Sequence, residues 1–214
     1  MPLLQSPLAA ILGAGPAGLM AADVLSAAGV EVHVYDAMPS VGRKFLLAGK
    51  GGLNLTHSEP LPSFIERFGE QAAVVGDWLH DFGPQAVRDW AAGLGVGTFV
   101  GTSGRVFPTE MKAAPLLRAW LHRLRHPRAP GAVPVRFHMR HRWVGWGDAA
   151  VTPESIAAGA GQASAGGLFV FESPAGCVGL APAAALLALG GASWPRLGSD
   201  GAWAAWLRQA GAEV

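Results

Sequence analysis

Cysteine and charge are what this sequence has least of. One cysteine, Cys177, occurs in 214 residues, which excludes an internal disulfide, a cysteine-rich zinc site and a two-cysteine redox centre. A buried structural thiol is its expected state, and a lone thiol suits a reducing, cytoplasmic setting. Only 14 % of residues are charged and 50 % are hydrophobic, the reverse of a disordered chain. Sixteen basic against fifteen acidic residues leave a formal +1. So small a charge gives no bulk field for nucleic acid or an anionic membrane, and neither is an expected partner. Residues 1–10 lack the basic start of a signal peptide. No G-x-S-x-G elbow and no H-E-x-x-H occurs.

Charge is absent altogether from residues 173–195, and ~20 apolar residues in a row are a candidate membrane span. Pro174, Pro182 and Pro195, with Gly176, Gly179, Gly190 and Gly191, interrupt that stretch. Its best apolar run, Ala183–Leu189, is strand-length and ends at a Gly-Gly turn signal, so a buried strand is expected instead.

What is present begins with Leu8–Leu12, a short apolar run stopped by glycine, read as a buried strand. From Gly15 to Ala28 the pattern is helical, with Gly18, Ala22, Leu25 and Gly29 on one small-residue face. Val30, Val32 and Val34 then alternate with Glu31, His33 and Tyr35 as a strand would. Strand, tight turn, helix and strand make a βαβ unit with parallel strands.

Met38–Pro60 reads as a long glycine-rich loop, and such loops are usually functional. Helices are expected near Leu61–Phe68 and Gln71–Gly93, and a hairpin at Thr98–Val100 and Arg105–Phe107. Thr109 is a candidate N-cap for a helix whose apolar face is Leu117, Trp120, Leu121 and Leu124. Strands are expected at Val133–Phe137, Arg142–Trp146, Leu168–Phe171 and Ala184–Leu189, a flexible connection at Ala157–Gly167 and a last helix at Gly201–Ala210.

Gly13-Ala14-Gly15-Pro16-Ala17-Gly18 is a G-x-G-x-x-G in the strand–turn–helix context that gives the pattern its meaning. Gly13 allows the turn, Gly15 lets backbone approach a pyrophosphate, and Gly18 lets the helix pack on the strands. Pro16 suits the first helical turn, and the N–H groups there, Ala17 among them, face the phosphates with the positive dipole end. Asp36 ends the second strand, where a carboxylate binds ribose hydroxyls and repels a 2′-phosphate. FAD and NAD both fit these residues.

Three further stretches carry a resemblance: Val41–His57, Gly101–Pro108 and Ala188–Gly201. They resemble the bacterial FAD-dependent oxidoreductases of the aminoacetone-oxidase and bile-acid-reductase-like group. The resemblance implies an α/β, Rossmann-like FAD/NAD-binding three-layer fold with a parallel sheet and a small β-meander. It implies FAD contacts at Ala37, Gly42, Arg43 and Lys44, where cations would offset the pyrophosphate. It also implies flavin contacts at Gly49, Gly51, Gly52 and Asn54, an adenine contact around Trp143, and a cofactor contact at Gly190. NAD(P)H is the implied electron donor, and a small organic molecule the implied substrate. Relatives of this kind are longer, so residues 1–214 are expected to be the N-terminal part of the FAD/NAD(P)-binding domain. The substrate domain and a C-terminal FAD-contact segment would then be absent, and the exposed apolar surface would favour self-association.

The residues leave other readings open. One is a non-catalytic nucleotide-binding remnant or assembly partner. Another is a flavin-dependent RNA-modifying protein using Arg136, Phe137, Arg140, Arg142, Trp143 and Trp146 as a stacking strand. Given the near-zero net charge, an ordinary strand with a wet charged face is preferred there. No catalytic acid or base stands out. His138 and His141, three apart on an expected strand, would face opposite sides, which disfavours a metal pair.

Overall fold

The computed structural model describes residues 9–147 and 168–214. Among these the elements, in chain order, are β1 (Ala9–Leu12), α1 (Pro16–Ala27), β2 (Val32–Asp36), α2 (Arg43–Ala48), β3 (Thr56–His57), α3 (Leu61–Glu66), α4 (Ala72–Asp81), α5 (Pro84–Gly93), β4 (Thr98–Val100), β5 (Arg105–Pro108), α6 (Ala113–Arg125), β6 (Arg136–Met139), β7 (Arg142–Gly147), β8 (Leu168–Ser173), β9 (Gly176–Leu180), β10 (Ala184–Leu187) and α7 (Trp203–Gln209). They fall into two compact units. The first runs to Lys44 and resumes at Leu124, and the second is Phe45–Arg123. The connection expected at Ala157–Gly167 lies outside the described residues.

In the first unit β1 and β2 run parallel on either side of the α1 crossover, with Ala9 opposite Val32 and Leu12 opposite Tyr35. β10 and β6 extend the sheet in the order β10-β1-β2-β6, every pair parallel. This is the Rossmann-like α/β arrangement the βαβ pattern predicts. An antiparallel sheet β7-β8-β9 supplies the small meander, with an irregularity between Trp143 and Gly145. Leu12, Tyr35, Trp143, Phe171 and Leu180 form one apolar cluster, and Trp203 and Trp206 of α7 pack on it. Each such buried side chain contributes roughly 1.5–3 kcal/mol.

Several expectations are corrected. β2 is buried at Val32, His33, Val34 and Tyr35 alike, because α1 and β7 both pack against it. β10 forms but is not buried. Its only described neighbour is β1, and Ala184, Ala185 and Leu186 are exposed. β6 begins at Arg136 rather than Val133, since Pro134 cannot donate to a ladder. Trp143 is 5 % exposed and belongs to the core, so it is no outward stacking platform. Cys177 is half-buried rather than buried.

The second unit holds α3, α4, α5, most of α6 and an antiparallel sheet in the order β3-β5-β4. The expected hairpin is there, with Thr98 opposite Pro108 and Val100 opposite Val106. Leu53, Ala91, Ala113 and Leu116 form its apolar cluster, and Trp90 meets Trp120 edge-on at 4.7 Å. The single helix expected over Gln71–Gly93 is two. Gly83 is extended and Pro84, lacking an N–H, opens α5. Thr109 does not cap α6; its N–H closes the hairpin on the Gly97 carbonyl at 2.9 Å, and the helix begins at Ala113. The loop expected over Met38–Pro60 contains α2, a 3-10 turn at Gly49–Gly51 and β3. No helix among the described residues is long and apolar enough to cross a membrane.

Candidate functional site

β1 ends at Leu12 and the chain turns through the glycine motif. Gly13 has φ +113°, and a side chain there would press into the Ala188 carbonyl group, whose carbon is 2.8 Å from the Cβ position. A Cβ on Gly18 would run into the Gly13 carbonyl oxygen and stand 3.2 Å from Ile11 Cγ2. Gly15 differs: nothing lies within 4 Å of its Cβ position, and it lines a cavity of about 630 Å³. Two glycines therefore close the turn and the middle one keeps its floor open. Pro16 is the first residue of α1, and the N–H groups of Ala17 and Gly18 have no partner within the helix.

Asp36 stands at the end of β2 on the same cavity. Its Oδ2 accepts from the Ala14 N–H at 2.7 Å and its Oδ1 from the Met38 N–H at 2.8 Å. Burial raises its pKa, and the Met38 and Ala14 N–H groups and the Arg43 charge pull it back. The carboxylate is thus fixed in direction but poorly solvated. The Gly42 N–H donates to the Ala14 carbonyl at 3.0 Å, tying the start of α2 to the turn. Arg43 reaches Ser40 Oγ at 3.3 Å, while its buried Nε has no partner. Lys44 Nζ donates to Ser193 Oγ at 3.3 Å.

Apart from Gly190, the opposite wall comes from residues not expected from the sequence. Trp203 Nε1 donates to the Gly190 carbonyl at 3.1 Å, and the buried Ser199 hydroxyl bonds the Gly191 carbonyl. Arg142 pairs with Asp200 at 3.2 Å, and the Ala202 N–H and Arg142 hold the Asp200 pKa down. Trp203, Trp206 and Leu207 share one face of α7 and line the cavity. Their i, i+3, i+4 spacing was the available signal.

Against Asp36 stands an aromatic and histidine cluster. Tyr35 stacks on His138 at 4.5 Å, and His33 Nδ1 is 3.1 Å from His138 Nε2. His138 and His141 do not face apart as expected; the chain reverses at Arg140, φ +60°, and their rings meet edge-on at 5.6 Å. The His141 N–H donates to the Asp36 carbonyl at 2.9 Å. Burial and the neighbouring His33, His141 and Arg136 charges lower His138 to about 4, burial lowers His33, and burial raises Tyr35 to about 12.

Of the residues expected to hold a cofactor, Gly13, Gly15, Pro16, Ala17, Asp36, Ala37, Gly42, Arg43, Lys44, Trp143 and Gly190 line this one cavity. Gly18 packs against the turn. Gly49, Gly51, Gly52 and Asn54 belong to the second unit. There Asn54 lines a recess of about 330 Å³ in which Arg67 Nε lies 2.7 Å from Glu59 Oε1.

The HI0933-like protein Rossmann domain family matches residues 8–214. UacF of Escherichia coli (strain K12), named as an oxidoreductase, is 53 % identical over 38 residues, 18 % of this chain and 6 % of that protein. The ribosomal RNA dihydrouridine synthase of Haemophilus influenzae (strain ATCC 51907 / DSM 11121 / KW20 / Rd) is 43 % identical over 53 residues, 25 % of this chain and 13 % of that protein. The crystal structure of a 3-ketosteroid-delta4-(5alpha)-dehydrogenase from Rhodococcus jostii RHA1 superposes with a TM-score of 0.63 at 15 % identity, covering 100 % of this chain and 55 % of that one. At that identity the likeness is one of fold. The chain thus spans little more than half of that structure and far less of either sequence relative.

Proposed function

The chain belongs to the HI0933-like protein Rossmann domain family, and on that premise we propose that it binds FAD and serves a flavin-dependent oxidoreductase. The observation that carries the reading is the Asp36 carboxylate, aimed by two backbone N–H groups on a cavity whose floor is Gly15. The residues suit such a dinucleotide. A Cβ at Gly15 would enter the open space, the α1 N-terminus offers free N–H groups, and the buried Arg43 Nε and Trp143 Nε1 are donors without partners.

When bound, FAD supplies two-electron hydride chemistry. The chain's own work is to hold it: Asp36 takes ribose hydroxyls, Ala17 and Gly18 present N–H groups to the pyrophosphate, and Arg43 and Lys44 offset its charge. Resemblance, rather than the cavity, supports flavin contacts at Gly49, Gly51, Gly52 and Asn54. Resemblance also supports the finer reading: the aminoacetone-oxidase and bile-acid-reductase-like group, a small organic substrate and NAD(P)H as donor.

Mass spectrometry of the cofactor released from purified protein tests the proposal, with FAD expected. Asp36→Ala should weaken FAD binding about 5- to 150-fold, the scale of a lost hydrogen bond to a charged group. Unchanged affinity, or release of a 2′-phosphorylated nucleotide, would overturn the assignment. A second reading, reduction of a base in RNA, is favoured by the identity shared with the ribosomal RNA enzyme.

A further inference from the structure

Net charge near zero conceals a segregation. Between Glu110 and Asp148 there is no acidic residue, yet Lys112–Arg142 holds eight of the sixteen Lys and Arg. In the first unit this acid-free stretch covers the end of α6, the connection that follows, β6 and the turn after it. These pieces pack together. The Val135 N–H donates to the Leu124 carbonyl at 2.9 Å, and the Arg125 guanidinium lies 5.3 Å above the Phe137 ring. β6 is the outermost described strand on this side of the parallel sheet.

We propose that this edge, carrying Arg125, Arg128, Arg136 and Arg140, binds the phosphodiester backbone of RNA. All four side chains are exposed. Arg136 has Glu31 at 3.7 Å, and among the described residues neither Arg128 nor Arg140 has an ion-pair partner. Arg140 holds φ +60°, a left-handed position that glycine or asparagine fills at lower cost. Arg140 directly follows Met139, the last residue of β6, and the Arg125 guanidinium lies over the Phe137 ring. Exposed cations with few counter-charges attract a polyanion through counterion release, whatever the total charge of the chain.

The choice of RNA among polyanions rests on the second reading given above. A membrane fits less well, because Phe137 of β6 lies under the Arg125 guanidinium rather than free to insert. The Trp143 ring is in the core, so recognition here is of backbone phosphates and not of stacked bases.

The test is fluorescence anisotropy of a labelled RNA hairpin with the full 214-residue chain. Four phosphate contacts predict that log K falls with log salt at a slope of about −3 between roughly 50 and 200 mM. Arg128→Glu/Arg140→Glu should weaken binding at least tenfold, and Arg128→Lys/Arg140→Lys should restore most of it. FAD retention measured on the same samples should not change. Salt-independent binding, unaltered affinity in the Glu variant, or tighter capture by phosphatidylserine vesicles than by RNA would overturn the proposal. So would loss of FAD from the Glu variant, since it would then act through the fold. RNA binding by a chain that takes no FAD supports the surface while removing the FAD reading.

Discussion

Gly15 of the first unit and Gly51 of the second have open space where a side chain would stand, whereas Gly13, Gly18, Gly49 and Gly52 are each pressed against a neighbour. In the first unit the open glycine adjoins a helix N-terminus and an aimed carboxylate, and all three face one cavity. In the second unit a Cβ on Gly49 would run into Ala113 Cβ, and one on Gly52, φ +120°, would stand 2.9 Å from Met111 Cε. Flavin contacts at Gly49, Gly51 and Gly52 stand on the resemblance alone, and at Gly49 and Gly52 packing within their own unit already calls for glycine. Glycine spacing reports close approach. What approaches is decided by the neighbours.

The largest expected effect separates the two kinds of glycine inside the first turn. Gly18→Ala forces a Cβ against backbone and should cost about 3 kcal/mol, read as a fall in Tm. Gly15→Ala should leave stability within about 0.5 kcal/mol yet lower FAD affinity about tenfold, near 1.4 kcal/mol. Equal destabilisation by both would break the distinction. A smaller effect sharpens it in the second unit: Gly49→Ala should cost about 2 kcal/mol in urea unfolding, and Gly51→Ala almost nothing. If Gly51→Ala is the more costly, Gly51 is packed and the comparison fails.

The smallest expected effect is a pH dependence that the first unit contributes. A histidine whose folded pKa is about 4 instead of 6.5 binds fewer protons when native. Its contribution to stability is therefore complete above about pH 6.5 and is lost as pH falls toward 4. Burial and the shared position beside His33 give the sign. With the ring only half-buried, the loss by pH 4 should be on the order of 1–2 kcal/mol. His138→Phe should flatten the slope of unfolding free energy between pH 6.5 and 4. An unchanged slope would assign it elsewhere.

Legibility followed locality. The βαβ frame from Ala9 to Asp36 was readable because its turn, cap and strand pairing all lie close in sequence. The hairpin of β4 and β5 was readable for the same reason. The break at Gly83-Pro84 was written in the sequence, since a residue before proline is pushed out of the helical region. The start of α6 was misplaced because a hairpin hydrogen bond took Thr109. Of the far wall of the cavity, from Leu187 to Leu207, only Gly190 was assigned, and by resemblance, because nothing local says that this stretch returns to the Gly13 turn.

The sequence by itself determined the Gly13–Gly18 turn, the acid Asp36 at the end of β2 and the parallel βαβ unit, since dihedral preferences and short-range hydrogen bonds settle these within a few residues. Tertiary structure alone decided that β2 is buried on both faces, that β10 is left open, and that His138 and His141 meet beside Tyr35. It also decided that Ala188, more than 170 positions away, sets the need for glycine at Gly13. Burial and contact between distant segments depend on which surfaces the whole chain brings together, and no local pattern encodes that.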